Sequence, residues 1–301
     1  EDLAASAQAV LEDITLQSLS RIYERSANKN LGLSGGVFAN VKLTQRIAEK
    51  FPFEEIFVCP AMSDQGEAEG GVLEYLLERD GMRTWLSKRE RWGNLYLGRD
   101  YMSEADAVFE KGGAQRVASG DVAETAAKLI IDGGIVGTYL GRCEYGPRAL
   151  GARSIMAAPT DRTINDTLNK RLDRTEFMPF APVVREERVQ DVFELPRSLH
   201  YTARYMTVTC DVKSEWRDRI SAVVHVDGTA RPQILRRADN PVYYGILEAY
   251  ERTTGIPVVI NTSFNVHEEP IVNHPREALK ALTTERVDFV VTENSVWAVP
   301  K

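Results

Sequence analysis

The segment Tyr139–Ser154, YLGRCEYGPRALGARS, places three arginines in a glycine- and proline-rich connection that follows an apolar strand. Glycine and proline interrupt helices and strands, so the segment is predicted to be a loop that displays Arg142, Arg148 and Arg153. Guanidinium groups bind phosphate through paired hydrogen bonds, and each charge-assisted bond contributes about 1.5–3 kcal/mol. The chain must therefore fold so that this basic loop either is solvated at the surface or surrounds an anion.

The composition limits the class of protein. A chain of 301 residues with 43% hydrophobic side chains is long enough for two packed units or one large unit with an appendage. The formal charge of -7 argues against a nucleic-acid coat or an anionic membrane surface as the main partner, so anion sites must be local. Cys59, Cys143 and Cys210 form no CxxC pair, which favours a cytoplasmic location over a disulfide framework. No apolar run is long enough to indicate a membrane span.

The alternation of predicted elements and the composition indicate two units. Helices and strands alternate in the first unit, and a charged stretch over Arg79–Asp100 is predicted to connect the two. Strands and helices mix in the second unit without a regular βαβ order, which predicts an α/β fold of the α+β type with a mixed, largely antiparallel sheet. Tyr205–Cys210 and Ser221–Val226 are among the segments expected to form strands.

Two loops of the first unit follow predicted strands and carry candidate ligand residues. Ser34, Gly35 and Gly36 lie between a strand and a helix, where backbone N–H groups can face a phosphate or ribose, and Asn40 follows closely. A tight turn without a ligand explains the same residues. Asp64 follows the next strand and is a candidate ligand of a metal or of magnesium-bound nucleotide. A helix N-cap is an equally good explanation for Asp64.

The second unit adds further basic residues beyond the arginine loop. Lys170, Arg171 and Arg174 cluster where a predicted helix ends, and they either face a shared anion or complement the helix dipole. Arg231 directly follows a predicted turn, which is a position where ligand-binding residues are often displayed.

Small polar side chains end the strand PVVINTSFN. Asn261, Ser263 and Asn265 are donors and acceptors suited to phosphate oxygens or to an amide-like substrate, with a polar turn as the alternative. Ser263 has no GxSxG context and no partnered base in the sequence, so a hydrolase is disfavoured. The four histidines lack any zinc-binding spacing and are expected to be structural.

Together these segments resemble the carbamoyltransferase family that includes antibiotic O-carbamoyltransferases and NodU-type nodulation proteins. The segments that carry the resemblance are SGGVFAN, CPAMSDQGEAEGG, EYGPRALGARSI, EFMPFAP and NTSFNVHEEPIV. The resemblance implies that residues 1–90 are the carboxy-terminal part of an ASKHA (Kae-like, RNase H-like) domain and that residues 91–301 are a YrdC-like domain. The family's upstream region carries an HxxxH pair that binds a divalent metal, usually discussed as iron, and Asp64 matches the family's metal-binding aspartate. Because this chain has no HxxxH pair and begins at Glu1 without methionine, we expect a carboxy-terminal fragment that binds the metal only in the complete protein.

The resemblance also implies a two-step reaction. Carbamoyl phosphate and ATP with Mg2+ give carbamoyl adenylate in the YrdC-like domain, and the carbamoyl group then passes to a hydroxyl or amine of a small molecule in the ASKHA domain. Contacts to phosphate or carbamoyl phosphate are implied for five basic residues, Arg148, Arg153, Lys170, Arg174 and Arg231. Contacts to phosphate or nucleotide are implied for Asn261, Ser263 and Asn265. Many members carry arginine where this chain has Met178, so Lys170 and Arg171 are expected to supply that charge.

Two other functions fit the same residues. One is a threonylcarbamoyl-adenylate-type enzyme that serves transfer RNA, and the other is a nucleotide-binding module without turnover. The EYGPRALGARS segment and the acidic total favour the carbamoyltransferase over the first alternative. The sequence does not identify the acceptor, and it leaves a homodimer open as an alternative to a monomer.

Overall fold

The structure is a computed structural model that describes residues 2–26, 28–119, 121–174 and 179–300, without the side chains of residues 118 and 119. The predicted departure at Met178 lies outside the described residues. The elements before residue 100 are α1 (Asp2–Arg25), β1 (Asn30–Leu33), α2 (Val41–Lys50), β2 (Glu55–Val58), α3 (Glu67–Asp80) and α4 (Met82–Lys88). Strands β1 and β2 pair in parallel, and α2 packs its buried side chains Leu43 and Ile47 into the core beneath them.

The rest of the chain is a mixture of helices and short strands. The helices are α5 (Met102–Lys111), α6 (Val122–Ile131), α7 (Thr163–Arg171), α8 (Val189–Val192), α9 (His200–Ala203), α10 (Ser214–Arg217), α11 (Pro241–Thr254) and α12 (Pro275–Thr283). The strands are β3 (Gln115–Ser119), β4 (Val136–Thr138), β5 (Ser154–Ala157), β6 (Ala181–Arg185), β7 (Phe193–Glu194), β8 (Cys210–Val212), β9 (Thr229–Ala230), β10 (Gln233–Leu235), β11 (Val258–Ser263), β12 (Phe289–Val291) and β13 (Ser295–Ala298).

The described strands of this second region form two sheets. The larger has eight strands in the order β10-β6-β11-β5-β4-β12-β13-β3, and the smaller has the order β7-β8-β9. Only β10–β6 and β12–β4 are parallel in the larger sheet, and its other five pairings are antiparallel. The predicted mixed α/β fold with a largely antiparallel sheet is therefore confirmed. The ASKHA and YrdC-like assignments and the boundary at residue 90 stay predictions.

The strand directions bring several loops to one edge of the larger sheet. The register pairs Ser263, at the end of β11, with Ser154, at the start of β5. By the same registers β6 and β10 begin at this edge, while β4 and β12 end there. The chain segments that join these strand ends therefore converge, and we call this edge the basic edge because it carries Arg148, Arg174 and Arg231.

Two predicted strands are wrong. Residues 205–209 are buried, but their hydrogen bonds go to helices, as Thr207 Oγ1 donates to the Thr202 carbonyl of α9 (2.9 Å) and Thr209 N–H to the Val41 carbonyl of α2 (3.2 Å). Ser221–Val223 is a 3-10 turn, and Ala222 N–H donates to the Pro159 carbonyl (3.0 Å). Both segments are apolar because they pack in the core, and the periodicity of an apolar run does not show where its backbone bonds go.

The two regions share one core. Residues from α2 and β2 pack in the same apolar cluster as Val208, Cys210 and Val212. Val58 N–H donates to Thr202 Oγ1 (2.9 Å), which joins β2 to α9. Among the described residues, no helix is long and apolar enough to cross a membrane.

We expect Gly151→Ala to destabilise the protein by about 2–4 kcal/mol. Gly151 has φ +115°, which side-chain-bearing residues rarely adopt, and a Cβ there would lie 2.4 Å from the Tyr243 ring. Urea unfolding measures the loss. Gly32→Ala is the matched control, because nothing lies within 4 Å of its added Cβ, and we expect a change below about 0.5 kcal/mol. Equal stability of Gly151→Ala and wild type would contradict this packing.

Candidate functional site

The basic edge gathers three of the predicted arginines from three separate loops. Arg148 lies between β4 and β5, Arg174 between α7 and β6, and Arg231 between β9 and β10. Buried amides tie the loops together, because Asn261 Nδ2 donates to the Ala149 carbonyl (2.9 Å) and to Gln233 Oε1 (2.6 Å). The Arg148 loop and β10, which follows Arg231, are thus fixed beside β11.

The charges at this edge are not compensated. Among the described residues, no carboxylate forms an ion pair with Arg148, Arg174 or Arg231. Burial lowers the pKa of Arg148 and of Arg174. Burial and the positive charge of Arg148 together lower the pKa of Arg231 to about 9. The direction of these shifts shows that the charged guanidiniums are disfavoured until an anion approaches.

Arginines elsewhere in the chain provide the contrast. Hydrogen bonds that they donate to carboxylates raise the pKa of five of them, namely Arg46, Arg79, Arg236, Arg237 and Arg252. These five arginines have carboxylate partners, whereas the three of the basic edge have none among the described residues. Uncompensated, partly buried cations that converge are typical of a site for an anionic ligand.

Arg174 is held at the end of β11. Its Nη1 donates to Thr262 Oγ1 (3.1 Å), and its guanidinium lies 5.5 Å from the centre of the Phe180 ring. Ser263 is the next residue and ends the strand, so its hydroxyl is carried by the same sheet edge. A cation and one hydroxyl, that of Thr262, are thus together at this edge, a combination that suits a phosphate group.

Arg153 has a different environment from the one predicted. It is fully buried, stacks 3.7 Å from the centre of the Tyr139 ring, and donates through Nη1 to the carbonyls of Leu140 and Ala152 (both 3.0 Å). Its Nη2 donates to the Gly141 carbonyl (3.0 Å). These contacts make Arg153 a support of the loop rather than a ligand contact.

Lys170 lies apart from the basic edge contacts. Its exposed side chain lines a surface depression with Arg171 and Arg286. Arg171 Nη1 is bound to Asp288 Oδ1 (2.8 Å), so its charge is already paired. A phosphate contact of Lys170 stays a prediction.

The three polar residues of β11 and its continuation have distinct surroundings. Asn261 is 1% exposed, and its amide nitrogen cross-links two loops while Oδ1 has no hydrogen-bond partner among the described residues. Asn265 donates to the Glu269 carbonyl (2.8 Å) and lines a cavity of about 420 Å³ beside Phe264. The predicted nucleotide contacts of Asn261, Ser263 and Asn265 stay predictions, and the structure assigns Asn261 a clear structural role as well.

A second cavity lies in the first region. Ser34, Gly35, Gly36 and Asp64 line a space of about 540 Å³, which Trp92 also borders. The two loops meet because Gly35 N–H donates to the Met62 carbonyl (2.7 Å). The structure thus brings these four residues to one cavity, and their ligand contacts stay predictions.

Asn40 is outside this cavity lining. Its side chain caps α2 by accepting from Leu43 N–H (3.0 Å), and its Nδ2 donates to Gln8 Oε1 (2.6 Å). A helix cap is sufficient to explain Asn40.

The described residues do not form a metal site around Asp64. Asp64 is exposed, and no group of three His, Cys, Asp or Glu side chains within the described part of the chain could hold an ion. The divalent metal was expected only in the complete protein, and it and the Mg2+ that would accompany ATP stay predictions.

Sequence reasoning missed two residues that organise the basic edge. Glu144 is 7% exposed and accepts three backbone N–H groups of the arginine loop, and Gln233 bridges Asn261 to the Leu150 carbonyl (2.7 Å). Glu144 is the one acidic residue in the arginine loop, and this exception in the sequence could have indicated a special role for it. Gln233 follows Arg231 by two residues, so a strand would place both on one face.

Comparison with known proteins gives two family-model matches. A model described as Carbamoyltransferase C-terminus matches residues 127–298, and one described as Carbamoyltransferase N-terminus matches residues 1–73. An uncharacterized protein of Methanocaldococcus jannaschii is 37% identical over 97% of this chain and 48% of that protein. Nodulation protein NolNO of Sinorhizobium fredii is 38% identical over 97% of this chain and 43% of that protein. The chain thus spans about half the length of these relatives. A crystal structure of full-length HypF, in the phosphate- and nucleotide-bound form, superposes with a TM-score of 0.43 and 22% identity over 57% of this chain and 25% of HypF.

We expect Arg148→Ala and Arg231→Ala each to weaken the binding of inorganic phosphate at least about tenfold, or about 1.4 kcal/mol. Without phosphate, their unfolding free energy should match or exceed that of wild type, because each change removes one of two repelling cations. Thermal unfolding across a phosphate titration measures both quantities. The control is Arg237→Ala, whose guanidinium is exposed and paired with Glu248. Wild-type phosphate affinity in both variants would remove these arginines from the site.

Proposed function

The chain belongs to the carbamoyltransferase family, and from that premise we propose that its larger sheet activates a carbamoyl group for transfer. The observation that carries the proposal is the basic edge, where Arg148, Arg174 and Arg231 converge without carboxylate partners among the described residues. Carbamoyl phosphate is the proposed carbamoyl donor, and ATP is the proposed activating nucleotide. Both are polyanions, and both need cations at the same place.

The proposed reaction balances with one water. Carbamoyl phosphate, ATP and water give carbamoyl adenylate, pyrophosphate and phosphate. Water cleaves the mixed anhydride of carbamoyl phosphate to carbamate and phosphate, and a carbamate oxygen then bonds to the α-phosphorus of ATP as pyrophosphate leaves. Two phosphorylated reactants repel each other, so most of the protein's contribution is to align them and neutralise their charge.

The contacts of the basic edge suggest that different arginines bind different phosphate groups. Arg148 and Arg231 are close enough for their charges to interact, so one phosphate group between them would relieve the repulsion. Arg174 is fixed by Thr262 (3.1 Å) beside Ser263, where it would hold a second phosphate group. Three cations on separate segments are better suited to binding two phosphorylated reactants than to binding a single one.

Transfer to the acceptor is proposed for the first region. The cavity of about 540 Å³ lined by Ser34, Gly35 and Gly36 is large enough for a small molecule with a hydroxyl or amine. Its backbone glycines would allow the acceptor and the carbamoyl group to approach closely. The metal implied for the family has no ligand set in the described residues, so this proposal includes no metal step.

We expect the purified chain to release pyrophosphate only when ATP and carbamoyl phosphate are both present. Arg148→Ala and Arg231→Ala should each lower kcat/KM at least about a hundredfold, because the lost cation faces developing negative charge in the transition state. A coupled pyrophosphate assay measures this, with Arg237→Ala as the paired surface control.

The same assay separates the rival functions. Pyrophosphate release that requires threonine and bicarbonate instead of carbamoyl phosphate would establish the threonylcarbamoyl-adenylate-type enzyme. Calorimetric binding of ATP and carbamoyl phosphate without any pyrophosphate would establish a binding module. Either result would overturn the proposed carbamoyl activation.

A further inference from the structure

We propose that Glu144 is a positioning residue that sets the affinity of the basic edge for phosphate by holding the backbone on both sides of Arg148. This inference rests on the proposed function of that edge. Glu144 would not touch the ligand. It would act only through the loop that displays Arg148.

The hydrogen bonds of Glu144 close the loop around Arg148. Its Oε1 accepts the backbone N–H groups of Leu150 (2.8 Å), Ala152 (2.7 Å) and Arg153 (3.0 Å). Glu144 precedes Arg148 in the chain, and all three donors follow it. One carboxylate oxygen thus ties the start of the loop to its end, with Arg148 in between.

Neighbouring contacts fix Glu144 itself. Tyr145 N–H donates to the Leu95 carbonyl (2.8 Å), and Gly98 N–H donates to the Cys143 carbonyl (3.0 Å). The backbone on either side of Glu144 is therefore bound to the segment 95–98. The carboxylate is an anchored point to which the rest of the loop attaches.

Glu144 does not act as a counter-ion of Arg148. Burial accounts for the lowered pKa of Arg148, and Glu144 forms no ion pair with it. The negative charge of Glu144 is directed at backbone N–H groups, which strengthens those bonds. Arg148 consequently keeps its own charge free for an anion while its position is fixed.

Arg148 needs such an external support. Its Nε is buried without a hydrogen-bond partner among the described residues, and Arg231 repels it. A free loop would let the guanidinium turn toward water, where its charge is better solvated. A loop closed by three charge-assisted hydrogen bonds keeps it at the edge, as a supporting residue does for a ligand-binding group.

The test measures inorganic phosphate binding by calorimetry in wild type, Glu144→Ala, Glu144→Gln, Arg148→Ala and the double variant Glu144→Ala/Arg148→Ala. We expect Glu144→Ala to weaken phosphate binding at least about tenfold, as loss of a supporting residue does at other sites. Glu144→Gln keeps an oxygen acceptor at the same reach and should lose less than about threefold. The double variant should bind no more weakly than Arg148→Ala, because both changes remove the same contribution.

Glu251→Ala is the matched control. Like Glu144, Glu251 is a largely buried carboxylate. Its partners are two arginines, Arg185 and Arg188, and it lies on α11, outside the arginine loop. We expect it to lower the melting temperature and to leave phosphate affinity unchanged. If Glu144→Ala does not fold, Glu144→Asp replaces it. The shorter aspartate side chain keeps the charge but cannot reach the backbone N–H groups. The Glu144→Asp variant should therefore bind phosphate more weakly than Glu144→Gln.

Two outcomes would overturn the inference. One is wild-type phosphate affinity in Glu144→Ala while Arg148→Ala loses it, and the other is additive losses in the double variant. The proposed function fails separately, because then Arg148→Ala itself binds phosphate like wild type.

Discussion

The loop between β4 and β5 depends on two buried charges that bind backbone instead of each other. The Glu144 carboxylate accepts hydrogen bonds from backbone N–H groups at the end of the loop. The Arg153 guanidinium donates to carbonyls at its start, including those of Leu140 and Gly141. Isolated buried charges are costly, and these two are partly compensated by backbone hydrogen bonds, although Glu144 Oε2 and Arg153 Nε have no partner among the described residues. The shape of the basic edge follows from this pair, because Arg148 lies between their attachment points.

Two neighbouring cations at the basic edge oppose the stability of the fold, and the proposed function gives a reason for them. Arg148 and Arg231 repel each other in a half-buried setting, although 44 acidic residues in the chain could have supplied partners. A fold selected for stability alone would pair them, as it pairs Arg237 with Glu248 at the surface. Unfavourable electrostatics that persist at one place are characteristic of binding and catalytic sites. Apolar packing around the rest of the larger sheet offsets the destabilising effect of this repulsion.

Much of this architecture could be predicted from the sequence. Helices α6, α11 and α12 are examples, because their apolar period and the side-chain caps Asp121, Asn240 and His274 are local properties. The arginine loop was also identified from local residue types. Which arginine faces a ligand could not be predicted, because Arg148 and Arg153 look alike in sequence. Their difference arises from carbonyls that only the folded chain brings to Arg153.

The first region contributes to the basic edge through the smaller sheet. Lys42, on α2, donates to Asp227 (2.8 Å), which lies in the turn just before β9 and Arg231. This exposed ion pair is weak, about 0–1 kcal/mol, so the link depends more on buried bonds. Thr209 Oγ1 donates to Gln45 Oε1 (2.8 Å) and thereby joins β8, the partner of β9, to α2. Because β9 leads directly into Arg231, the position of that guanidinium depends on α2 as well as on the larger sheet. The cavity and the basic edge are therefore parts of one packed structure, although their residues lie in separate halves of the sequence.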